Sequence, residues 1–93
     1  MTLSLHLDGL AIDTEAKFHA ALREASGVEW YGGNLDALFD MLVAVVSPPI
    51  EIVWTNAAVS RRAIGERFDR LIGVILDAIA ERGSEAVSLR LET

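Results

Sequence analysis

The chain has 93 residues, 52% of them hydrophobic and 24% charged, with a net charge of −6; this describes one globular domain over residues 1–93 rather than a disordered chain. It has no cysteine, which removes disulfides, thiol chemistry and cysteine-based zinc sites. The apolar run "MLVAVV" at 41–46 is far shorter than the roughly 18 residues of a membrane span, and the N-terminus lacks the basic and apolar regions of a signal peptide, so a cytoplasmic protein is expected.

"TLSLHL" alternates apolar and polar residues, with Leu3, Leu5 and Leu7 on one face, and reads as a strand ended by Asp8-Gly9. A helix follows from Asp13. Asp13 or Thr14 is its N-cap, Ala16, Phe18, Ala21, Leu22 and Ala25 form its apolar side, and Gly27 stops it. "WYGG" at 30–33 is a loop, and Asn34 is placed to cap the next helix. Leu35, Leu38, Phe39, Leu42, Val45 and Val46 repeat at helical spacing and form that helix's core stripe, which Ser47-Pro48-Pro49 ends.

"IEIVW" at 50–54 is a second strand, with Trp54 at its end expected in or beside the core. A short helix is placed after Thr55 or Asn56. A long one carries Phe68, Leu71, Ile72, Ile75 and Ile79 on one face, Arg82 in its last turn and Gly83 as its cap. Gly73, mid-helix, costs about 1 kcal/mol relative to alanine unless close packing requires it. "AVSLRLET" alternates again, with Val87, Leu89 and Leu91 on one side, and reads as an edge strand. Strands separated by helical connections favour a parallel sheet with right-handed crossovers.

The charge is unevenly placed. Residues 1–53 carry eight acids against two bases, and residues 54–93 carry six of each. No Lys or Arg stands between Arg23 and Arg61, while five acids do. Such a field repels nucleic acid and attracts basic partners.

On a helical wheel started at Leu35, Asp36 and Asp40 fall near 100° and 140°, with Ala44 and Ala37 at about 180° and 200°. This face points away from the core stripe and carries no base to pair with its acids. Like charges four residues apart destabilise a helix by a few tenths of a kcal/mol. The helix dipole offsets part of that at Asp36 and less at Asp40. Short acids beside alanines leave a flat, approachable surface, and a partner on another molecule would explain it. Trp30 and Tyr31, just before, are residue types that anchor protein interfaces. Gly32 and Gly33 permit close backbone approach. A divalent-metal site or acid–base catalysis by the Asp pair ranks below this, because no third acid on the helix joins the two and the neighbouring Ala and Phe offer no polar support. No metal or cofactor is therefore expected. His6 and His19 match no ligand motif and read as ordinary surface or strand-edge histidines. "YGGN" is no phosphate loop, since no Gly-Lys-Ser/Thr follows.

The motif "YGGNLDALFDML" resembles the signature of the barstar family, intracellular inhibitors of secreted bacterial ribonucleases such as barnase. The likeness is closest over residues 28–54, including "PPIEIVW", and is compatible with the whole chain. It implies a small three-stranded parallel sheet flanked by three to four helices, and a non-enzymatic protein. It further implies that the second helix and the loop before it plug the ribonuclease active site in a one-to-one complex, the free protein being a monomer. By that resemblance Asp40 stands in for a substrate phosphate, mimicking RNA, and Asp36 pairs with an arginine at the rim. Trp30 packs against a histidine of the enzyme, and Asn34, Leu35 and Ala44 are neighbouring contacts. Tyr31, Gly32 and Phe39 complete the expected partner-binding set. An alternative is an immunity protein that neutralises a different basic nuclease toxin with the same face. The chain departs from the family's best-known member at Gly33 (an acid there) and at Phe39 and Val45 (tryptophans there). A further acid on the last helix aligns with Ala78, with Asp77 or Glu81 as substitutes if the register shifts.

Overall fold

A computed structural model of the chain describes residues 3–93; Thr2, placed above in the first strand, lies outside them. The elements run β1 (Leu3–Asp8), α1 (Glu15–Ser26), α2 (Leu35–Asp40, continued as a π-helical turn over Met41–Val45), β2 (Ile50–Thr55), α3 (Ala57–Ile64), α4 (Glu66–Arg82) and β3 (Val87–Leu91). The three strands pair in parallel in the order β1-β2-β3, with Leu3 opposite Ile50 and Ile50 opposite Val87. The expected α/β class and the expected order of elements are both found.

All helices lie on one face of the sheet. Leu3, Leu5 and Leu7 of β1 and Ile50, Ile52 and Trp54 of β2 are buried under them, while Ser4, His6, Asp8, Glu51, Ser88 and Arg90 on the other face are exposed. Parallel sheets are usually covered on both faces. Here strict alternation in β1 marks the open side, and in β3 Val87 is buried and Leu89 half-buried, while Leu91, expected on their side, is exposed; Val53 on the open side is flanked in register by His6 and Arg90.

The core centres on Trp54, which is fully buried. Its indole stacks on Phe18 with ring centroids 5.5 Å apart and meets Phe68 edge-on at 4.9 Å. The indole N–H donates to Ser60 Oγ at 2.9 Å, and that hydroxyl donates to the Ile12 carbonyl at 2.6 Å. Each polar atom of this buried set therefore has a partner, as burial demands.

The caps follow the sequence closely. Thr14 Oγ1 accepts from the Lys17 N–H at 3.2 Å, Asn34 Oδ1 accepts from the Ala37 N–H at 2.8 Å, and Gly27 closes α1 with φ 72°. At Gly9 the chain passes so close to Asn56 that a Cβ would stand 1.8 Å from its carbonyl oxygen; only glycine fits. In α4, Phe68, Leu71, Ile75 and Ala78 are buried, while Ile72 and Ile79 are half-buried at the edge of the stripe. A Cβ on Gly73 would meet nothing within 4 Å, so close packing does not explain that glycine.

Candidate functional site

α2 and the loop before it form the site. After Asp40 the helix widens: Val46 N–H bonds to the Met41 carbonyl, five residues back, at 3.0 Å. Each residue of such a turn advances through a smaller angle than in an α-helix. The core stripe therefore shifts phase from the expected one. Val45, expected in the stripe, is 36% exposed, while Met41, which the stripe did not include, is 1% exposed. The guanidinium of Arg82, at the end of α4, donates from Nη1 to the carbonyls of Leu42 (2.8 Å) and Val46 (3.1 Å). It supplies the donors that the end of the helix lacks and ties α2 to α4.

The widening leaves the acidic face intact. Asp36, in the first turn, and Asp40, just before the π turn, are both exposed. Among the described residues neither enters a salt bridge. Ala44 lies exposed beyond them, whereas Ala37, placed on this face by the wheel, is half-buried. Gly32 and Asn34 are exposed at the helix start, and Leu35 and Phe39 are half-buried, each packed against the core along one side. Among the described residues no three His, Asp or Glu side chains gather as a metal site would require.

The two aromatics of the loop turn opposite ways. Trp30 is 73% exposed and Tyr31 3% exposed. The Tyr31 ring is therefore no surface contact, contrary to its placing in the partner-binding set; the core takes it in and its hydroxyl meets His19 Nδ1. His19 is also corrected. It is a buried residue of α1, not a surface histidine, and its Nε2 lies 2.9 Å from Glu15 Oε2. The Glu15–His19 spacing of one helical turn was the visible signal for it; the Tyr31 link, twelve residues away, had none. Arg23 holds the other end of Tyr31, with Nη2 donating to its carbonyl at 2.8 Å and the guanidinium 5.6 Å from the ring centroid.

Gly33 has φ 68°, and a Cβ there would crowd Arg23 Nη2 at 3.2 Å. On α4, Ala78 is fully buried and cannot face a partner, whereas Asp77 and Glu81 are exposed. α4 packs beside α2 and its π turn, and these two are exposed acids in the half of α4 that contains Ala78.

The described residues thus form a one-sided three-stranded α/β domain with an exposed acidic helix behind an aromatic-glycine loop. Residues 2–93 match the family described as Barstar (barnase inhibitor). The chain is 31% identical over 80 residues to the Bacillus subtilis (strain 168) protein named "Putative ribonuclease inhibitor YrdF", covering 85% of this chain and 88% of that one. The chain belongs to the barstar family of ribonuclease inhibitors, whose members are not enzymes. No helix among the described residues is long and apolar enough to cross a membrane.

Proposed function

We propose that the protein inhibits a secreted barnase-type ribonuclease by occupying its active site with α2 and the loop before it, inside the cell that makes the enzyme. The observation that carries this is the exposed, base-free pair Asp36 and Asp40 beside the exposed ring of Trp30. A ribonuclease active site is a cleft of Arg, Lys and His built to bind phosphate. Asp40, on a helix braced by Arg82, offers that cleft a carboxylate with little side-chain entropy to lose. Asp36 pairs at the rim, and Trp30 supplies the aromatic anchor. Gly32, Asn34, Ala44 and the outer edges of Leu35 and Phe39 close the contact and keep water out. RNA is then blocked both sterically and by charge. The complex is one to one, and the free protein is a monomer.

The test is inhibition of a guanyl-preferring ribonuclease by wild type and by Asp40→Ala. Truncating one partner of a buried charge pair costs about 2–5 kcal/mol, a rise in inhibition constant of roughly 30-fold to several thousand-fold; complexes of this same family are among the cases that define that range. Unchanged inhibition would remove Asp40 from the mechanism. A different basic nuclease as partner is favoured by the departures at Gly33, Phe39 and Val45, which alter the surface around the acids. The reading frame beside this one separates the two: a small secreted ribonuclease supports the first, a long toxin the second.

A further inference from the structure

One chain of polar contacts lies outside the acidic face, runs from the surface into the core and ends at the loop that carries Trp30. It starts on α4, where Arg67 donates to Glu15 from Nε (2.6 Å) and from Nη2 (3.2 Å). Glu15, in the first turn of α1, meets His19 Nε2 at 2.9 Å. His19, 4% exposed, meets the Tyr31 hydroxyl through Nδ1. The proton positions follow from the partners. Arg67 holds Glu15 below its usual carboxylate range, so Glu15 accepts and His19 Nε2 carries the proton it donates. In the tautomer that carries its proton on Nε2, Nδ1 is the acceptor. Burial pushes the Tyr31 hydroxyl well above its usual value, so it keeps its proton and donates to Nδ1.

Tyr31 is thus pinned at its hydroxyl by His19 and at its carbonyl by Arg23. The next residues, Gly32 and Gly33, have no side chains to hold them. The adjacent Trp30 is turned outward while Tyr31 is turned in.

We propose that His19 is a positioning residue for partner binding: through Tyr31 it locks the 28–33 loop in the conformation that presents Trp30 and Gly32. This rests on the reading that the loop and α2 form the inhibitory face. A loop ordered before encounter loses less entropy on binding, so loosening it weakens the complex.

Four variants separate anchoring from mere packing. Tyr31→Phe removes only the hydroxyl, and His19→Leu removes both ring bonds. His19→Asn places an oxygen near Nδ1 and keeps an acceptor for Tyr31. His19→Gln keeps a donor for Glu15 but loses the Tyr31 bond. Amide hydrogen exchange of the free protein at Trp30, Gly32 and Gly33, and inhibition of the ribonuclease, are measured on each.

We expect faster loop exchange and about tenfold weaker inhibition, mostly in the dissociation rate, for Tyr31→Phe, His19→Leu and His19→Gln. We expect near-recovery for His19→Asn. Loop exchange at the wild-type rate in Tyr31→Phe, or equal behaviour of the Asn and Gln variants, overturns the proposal. If His19→Leu fails to fold, Tyr31→Phe still decides it. A wild-type protein that inhibits no ribonuclease overturns the functional reading, and the presentation role with it. Whether the network anchors the loop is read separately, from the exchange data on the free protein.

Discussion

Glu15 carries more of the site than its position suggests, since it neither touches the acidic face nor lies in the motif. Its carboxylate is held by Arg67 and by His19, and its pKa is lowered from the usual 4.5. A lowered folded-state pKa means that the unfolded chain takes up the proton first as pH falls. The contribution is therefore complete above about pH 4.5 and declines as pH drops through the lower folded-state value. Urea unfolding at neutral pH and at several points below it checks this. Glu15→Gln should be less stable than wild type at neutral pH, and the gap should close in acid. A constant gap at all pH values would mean that the charge of Glu15 contributes nothing. Residues of this kind are the ones the sequence hides. The one-turn spacing of Glu15 and His19 is visible, but the partners Arg67 and Tyr31 are brought in by tertiary packing, so a histidine that matches no motif reads as a surface residue until the fold is known.

At the scale of elements, cap chemistry was legible because it is local. Thr14, Asn34, Gly27 and Gly83 each act within a few residues of themselves. The π turn at 41–45 was not, because no local residue marks it; it depends on Arg82 satisfying carbonyls from forty and thirty-six residues away. A uniform wheel therefore placed Asp36 and Asp40 correctly on the outside and misplaced Val45 after the widening. Gly73 poses the opposite case, a visible cost without a structural reason. Its surroundings are open and its φ is not in the left-handed range. Gly73→Ala should stabilise the protein by about 0.5–1 kcal/mol, raising the melting temperature by about 2–8 °C in a domain of this size. Calorimetry measures it directly, and a fall in melting temperature would mean that the helix needs the glycine for a reason the packing does not display.

Over the whole molecule, the order of elements and the alternation in β1 and β3 were enough to foresee a parallel three-stranded sheet. Which residues of α1 meet the 28–33 loop was not foreseeable, since it depends on how the two pack together. The charge asymmetry was plain in the sequence and survives folding. Arg61, Arg67, Arg70 and Arg90 pair with acids of their own chain, while Asp36 and Asp40 are left outward. Association with a basic partner should accordingly be fast at low ionic strength and slow as salt screens the field. Stopped-flow measurement from about 0.01 to 1 M salt, a range over which the Debye length shrinks from about 30 to 3 Å, should show a steep fall in association rate. A flat profile would argue against electrostatic steering by this face.

The uncovered side of the sheet offers a practical opening. Ser4, His6, Ser88 and Arg90 project from the side opposite the helices, and the chain has no cysteine of its own. Ser88→Cys would thus carry the molecule's single thiol, on rigid backbone and across the sheet from Asp40. A fluorophore or a surface tether fixed there would report on, or hold, the protein while the acidic helix stays accessible to whatever it binds.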